Sequence, residues 1–234
     1  MIRRQQSGFT LVELAIGLLV IGLMVGGILQ GAEMLQNAAY KKTMKDLSSY
    51  QMAYRIFQEN YRGLPGDIDN AQTVLSRCVA PLCLNGDNNR IVGRPGSTAQ
   101  SDQTGTSQPR VETSMFWQHL LLADLINGVQ EGADPSAPAA GATHPYSALG
   151  RGAYSVYHRQ GIHGISIKAC PNSQTCGAAV LTPRQVWILD QKMDGDGSPF
   201  TGTIKANHGG CPYVQGASYN LSSEQPCYVL FDLD

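Results

Sequence analysis

The sequence predicts an α+β protein: one long N-terminal α-helix packed on a small, mostly antiparallel β-sheet with large loops. Three observations lead there. Residues Phe9 to Leu29 form an apolar run in which Glu13 is the only strongly polar side chain. The helical signal then continues, with large side chains at Tyr40, Met44, Leu47, Tyr50, Tyr54, Phe57 and Tyr61; steps of three and four put these on one face of a 3.6-residue period. The rest of the chain holds short strand-like runs between loops rich in the 26 glycines and 12 prolines.

The first element is a single helix from near Phe9 to near Asn60, uninterrupted because no proline occurs before Pro65. Its first half is apolar all round. At 1.5 Å per residue, Phe9–Leu29 spans roughly 30 Å, the thickness of a hydrocarbon core. Arg3 and Arg4 precede it, which favours a cytoplasmic N-terminus and export of the chain beyond the helix. In the second half Lys41, Lys42, Lys45, Asp46, Arg55 and Glu59 largely occupy the faces away from the apolar stripe. Gly22-xxx-Gly26 and Gly27-xxx-Gly31 suit close approach of helices, and the same glycines make Gly22–Gly31 the stretch where the helix is expected to stretch or unwind most readily. An ordinary signal peptide is cut after its apolar region. Here the only processing-like feature, SGFT, lies before it, so a cut there leaves the helix attached.

Pro65 and Gly66, in GLPGDIDNAQ, end the long helix. Residues 85–110 carry few apolar groups and read as an exposed loop. A second helix is predicted over roughly Thr113–Asn127, lined by Phe116, Leu120, Leu121, Leu122, Ala123 and Leu125 and closed by Gly128. His119 within it reads as a packing or surface residue. Residues 130–145 form a second flexible stretch. Strands come next at Ala153–His158 and Ile162–Ala169. Thr182-Pro183 is an N-cap and first-turn pair for a helix to about Met193, and Tyr228–Leu233 closes the sheet as a strand.

The formal charge of -1, from 17 basic and 18 acidic side chains, gives no basic surface for a nucleic-acid partner. The six cysteines, Cys78, Cys83, Cys170, Cys176, Cys211 and Cys227, all lie after the apolar helix, as expected of a domain oxidised outside the cytoplasm. Local pairing, Cys78–Cys83, Cys170–Cys176 and Cys211–Cys227, is preferred; a four-cysteine zinc site would want a tight CxxC-like spacing, and none is present. Asp190-x3-Asp194-Gly-Asp196-Gly can present oxygens to a hard cation such as calcium, with the glycines turning the backbone between them. Asn85-x-Asp87-x-Asn89 is a thinner version of the same signal, and Asp/Gly turns without metal compete with both readings. His119, His144, His158, His163 and His208 show no HExxH spacing. GxSxG and phosphate-loop sequences are absent too, so no catalytic residue is nominated and no cofactor is required.

Arg3-Arg4 followed by Gly8-Phe9-Thr10-Leu11-Val12-Glu13-Leu14 resembles the class III signal of type IV pilins and type II secretion pseudopilins. The resemblance covers the first 30 to 60 residues. It implies a pilin-like fold and a prepilin peptidase that cuts between Gly8 and Phe9 and N-methylates Phe9. Residues 1–8 are then a leader peptide and 9–31 the transmembrane and assembly helix. Residues 32–62 are its amphipathic continuation, and 63–234 the extracytoplasmic globular domain. Glu13 becomes an assembly residue: a carboxylate in hydrocarbon costs several kcal/mol, and the new α-amino group of Phe9 in a neighbouring subunit can pair with it. The implied partners are other pilin or pseudopilin subunits, the prepilin peptidase, the inner-membrane assembly platform and the bacterial inner membrane. The globular domain then lies in the periplasm, and the assembled fibre at the cell surface or in a periplasmic pseudopilus. The resemblance admits three roles: a filament subunit, a secretion pseudopilin, or a minor tip pilin whose loops bind a target.

Overall fold

The computed structural model describes residues 10–92, 112–159, 161–170, 178–206, 211, 213–214 and 218–234. It divides into two units, Met1–Lys41 and Lys42–Asp234. Helix α1 (Leu11–Tyr61) runs through the boundary.

In the first unit the described chain beyond Thr10 is continuous helix. Its apolar side chains, from Leu11 through Leu35, are exposed, and none of its most apolar 18-residue window is buried. It is long and apolar enough to cross a membrane. A Cβ added at Gly17, Gly22, Gly26, Gly27 or Gly31 would meet no atom of the described residues within 4 Å, so these glycines leave a smooth surface on the helix.

The second unit is built around the rest of α1. Leu47, Tyr50, Ala53, Tyr54 and Phe57 are buried at the predicted helical spacing, while Lys45, Arg55 and Glu59 stay exposed. The Tyr50 ring meets Trp117 edge-on at 4.9 Å and Tyr154 at 5.1 Å, which ties the helix to the core beneath it. Arg62, with φ of 55°, ends α1 just before the Pro65-Gly66 break. A single helical turn, α2 (Ala71–Val74), and the buried helix α3 (Glu112–Leu122) come next.

The sheet centres on an antiparallel hairpin of β1 (Ala153–Arg159) and β2 (Ile162–Ala169), with Tyr154 opposite Ile167 and Val156 opposite Ile165. Strand β3 (Ala178–Ala179) pairs with β2, and helix α4 (Pro183–Met193) leads to β4 (Ile204–Lys205). A separate small ribbon joins β5 (Tyr213–Val214) to β6 (Ser218–Tyr219). Strand β7 (Leu230–Asp232) completes the main sheet between β2 and β4, giving the order β1-β2-β7-β4. Side chains alternate across a strand. Here one set (Tyr154, Val156, Ile165, Ile167) and the other (Ser155, Ser166, Lys168) are both buried, so the hairpin is covered on both faces. The result is the expected pilin-like arrangement: long helix, small antiparallel sheet, large loops.

Three expectations change. Helix α3 stops at Leu122, not near Asn127. Leu125 N bonds Leu120 O and Asp124 N bonds Leu121 O, a Schellman closure with Asp124 in the left-handed position at φ 57°; Gly128, also at positive φ, only turns the chain further on. The closing strand is shorter than Tyr228–Leu233, being Leu230–Asp232. Residues 130–145 are not a loose stretch throughout: Thr143 and His144 are buried, and the amides of Thr143 and His144 both bond Ala139 O. Of the predicted loop at 85–110, residues 93–110 lie outside the described residues.

Candidate assembly site at the start of the long helix

Helix α1 begins with four amides that have no intrahelical acceptor. Thr10 and Glu13 satisfy part of that deficit reciprocally. The Glu13 amide donates to Thr10 Oγ1 at 3.3 Å, and Glu13 Oε2 accepts from the Thr10 amide at 2.9 Å and the Thr10 hydroxyl at 2.8 Å. This is a capping box, with a threonine N-cap and an acid three residues on. Glu13 is therefore not a stray carboxylate in an apolar run. Its own chain gives it hydrogen-bond donors and places its charge where the helix dipole favours an anion. Sequence reasoning singled out Glu13 and passed over Thr10, although the signal was present: Thr-x-x-Glu immediately before an apolar stretch. Gly8 and Phe9, the predicted processing residues, lie outside the described residues.

The remaining predicted residues are dispersed through the second unit. Disulfides join Cys78 to Cys83 and Cys211 to Cys227. Cys176, the expected partner of Cys170, lies outside the described residues. A His119 ring nitrogen and the Cys78 and Cys83 sulfurs lie within 4.8 Å of one another, but both sulfurs are committed to the disulfide and both His119 nitrogens to hydrogen bonds. Nδ1 accepts from the Gly66 amide at 2.8 Å, which leaves the proton on Nε2, donated to Leu84 O at 3.0 Å. Burial holds this imidazole neutral, with its pKa pushed down to about 4.

The oxygens of Asp67, Asp87 and Glu112 also lie within 4.8 Å of one another. Asp67 is buried and accepts from the Asn89 and Arg90 amides at 3.0 and 2.9 Å, which folds residues 85–92 back onto the turn after α1. Burial, partly offset by those amides, pushes its pKa up to about 6. The Asn85, Asp87 and Asn89 signal resolves differently: Asp87 accepts from the Asn89 amide and side chain, a local turn, while Asn85 Oδ1 accepts from the Gln72 amide. Asp190, Asp194 and Asp196 surround the end of α4, but their oxygens do not form a mutually close triad.

An uncovered apolar helix with a capped acid at its start, continuing into a helix-on-sheet domain, is consistent with a pilin-like protein. Residues 3–29 match the family described as the prokaryotic N-terminal methylation motif, typical of type IV pilin-like proteins. No curated protein and no solved structure matches the chain. The match covers the helix start and the apolar run.

Proposed function

We propose that the protein is the precursor of a structural subunit of a type IV pilus or pilus-like filament. A prepilin peptidase cuts between Gly8 and Phe9 and methylates Phe9. The apolar helix holds the subunit in the inner membrane until packing of that helix draws it into a fibre. The observation that carries the reading is the coincidence of the methylation motif over residues 3–29 with a helix whose apolar surface nothing in its own unit covers.

Glu13 acts at the step from membrane to fibre. In the single subunit its carboxylate is satisfied by Thr10. Cleavage after Gly8 makes Thr10 the second residue of the mature chain, so Glu13 is held next to the turn that bears the new α-amino group. In a fibre that amine, from a neighbouring subunit, supplies the opposite charge that a dry helical bundle requires of a buried carboxylate.

Mass spectrometry of the mature N-terminus tests the processing: the expected chain begins with N-methylated Phe9, and Gly8→Ala remains full length. A Gly8→Ala protein with the same mature N-terminus as wild type would remove the peptidase from the account. Glu13→Leu is expected to insert and be processed yet to enter fibres poorly. Normal fibres from cells making only that variant would remove the pairing.

A further inference from the structure

The Cys78–Cys83 disulfide lies where the structure brings up a third metal-ligating side chain, and the assembly role uses none of the three. Cys78 and Cys83 belong to the irregular segment after α2, whereas His119 comes from α3. All are buried, at 4%, 4% and 0% exposure, so bulk water does not compete for their ligand atoms. A His119 ring nitrogen and the two sulfurs lie within 4.8 Å of one another. Among the described residues the other group of three this close, Asp67, Asp87 and Glu112, is all carboxylate. Two sulfurs with an imidazole are a different donor set, and it is the one that selects zinc.

In the oxidised chain the sulfurs are bonded to each other, and it is the thiolate that ligates metal. A dithiol reductant supplies two electrons and two protons and is itself oxidised to a disulfide. The Cys78–Cys83 bond breaks and two thiols remain. Zinc then displaces both thiol protons as two Zn–S bonds of about 2.3 Å form. The Cα atoms of the pair are 5.0 Å apart, within the span of two such bonds to one ion.

His119 is prepared as the third ligand. Its ring is neutral, because Nδ1 accepts from the Gly66 amide while Nε2 donates to Leu84 O. A metal-bound imidazole ordinarily gives its remaining N–H to a carbonyl or carboxylate, which fixes the ring. Leu84 O already fills that place, so Nδ1 is the atom to ligate and the Gly66 amide yields it. The fourth position faces an opening: Cys83 lines a cavity of about 130 Å³ together with Arg77, Gln118 and Glu131. That space admits the ion and holds a zinc-bound water.

We propose that the dithiol form of the protein binds one Zn²⁺ through Cys78, Cys83 and His119, with water as the fourth ligand. The ion joins the 78–83 loop to α3, and oxidation of the two sulfurs expels it.

The test uses the full-length protein in detergent, reduced with excess dithiol, desalted without oxygen and titrated with Co²⁺ and then Zn²⁺. Expected is one Co²⁺ per chain, with the strong visible bands of a tetrahedral site and a thiolate-to-cobalt band in the near ultraviolet. An equivalent of Zn²⁺ should abolish both, and the oxidised wild type should show neither. Cys211→Ser/Cys227→Ser should bind as wild type, and Cys78→Ser/Cys83→Ser should lose the bands. His119→Gln keeps an acceptor for Gly66 and a donor for Leu84, so it spares the fold. It should bind at least about tenfold more weakly. The proposal is overturned if the reduced wild type gives no thiolate-to-cobalt band, or if the bands survive without Cys78 and Cys83. It is equally overturned if His119→Gln binds as tightly as wild type, since the metal would then sit on the sulfurs alone.

Discussion

His119 offers a prediction whose size is set by its surroundings. The imidazole is fully buried, accepts from the Gly66 amide and donates to Leu84 O, so the fold requires it neutral. Its folded pKa of about 4 lies below the ordinary 6.5 because burial disfavours the charged ring. A depressed histidine pKa means the unfolded chain binds more protons over that interval. The stabilisation is therefore complete above pH 6.5 and declines as pH falls from there towards 4. At about 1.4 kcal/mol per unit, the loss reaches ~2 kcal/mol by pH 5 and approaches ~3 kcal/mol below pH 4. His119→Leu removes the titrating group and strands a buried amide and a buried carbonyl, at a cost of ~3 kcal/mol near pH 8. Urea unfolding of the two proteins across pH 8 to 5, read by the buried Trp117, should show that penalty shrinking to ~1 kcal/mol. Other acid-sensitive groups cancel in the difference. A penalty that stays constant with pH would show that the buried ring does not titrate as described.

Gly86→Ala should destabilise by ~3 kcal/mol or more, because a Cβ there would overlap the Asp67 backbone. Gly161→Ala, with open space around it, should cost only its positive-φ strain of ~1 kcal/mol. Comparing the urea midpoints of the two variants checks this, and equal losses would refute the close approach. Removing the Cys211–Cys227 disulfide, with its sequence separation of 16, should lower stability by ~3 kcal/mol. Removing Cys78–Cys83, separation 5, should cost ~2 kcal/mol; denaturant unfolding of the paired Cys→Ala variants measures both.

The parts legible in the sequence are those specified by neighbours in the chain. Helix α4 starts where Thr182-Pro183 said it would, because its capping box needs only Thr182 and Gln185. Helix α1 was legible because a period of three and four persists over its second half. The end of α3 was not: Gly128 looked like the stop, but Asp124 adopts the left-handed conformation four residues earlier, and nothing in its identity demands it. At the assembly site Glu13 stood out as an acid among apolar residues, while Thr10 became meaningful only once its hydroxyl was seen on the Glu13 carboxylate. The partners of Asp67 and His119 are still less legible. They lie 22, 23, 35 and 53 residues away in sequence, and no local pattern records such distances.

Those long-range bonds define how residues 63–92 are held. The segment has one turn of helix, α2, and otherwise irregular backbone, so it cannot be stabilised by regular ladders. Side chains hold it instead, from several directions. His119 grips Gly66 and Leu84, Asp67 gathers Asn89 and Arg90, and Gln72 Nε2 donates to Cys83 O beside the Cys78–Cys83 disulfide. The His119 ring lies next to that disulfide, so the two restraints act on the same few residues. Restraints that share a segment cannot be additive: once one is lost and the segment loosens, the other has less order left to maintain. A double-mutant cycle of His119→Leu with Cys78→Ala/Cys83→Ala should therefore lose ~1 kcal/mol less than the sum of the separate changes. Gly161→Ala, on the β1–β2 turn, serves as the distant reference and should add to His119→Leu within ~0.5 kcal/mol. Additivity in both cycles would mean that the histidine and the disulfide hold separate pieces of structure, and that the segment is not one cooperative unit.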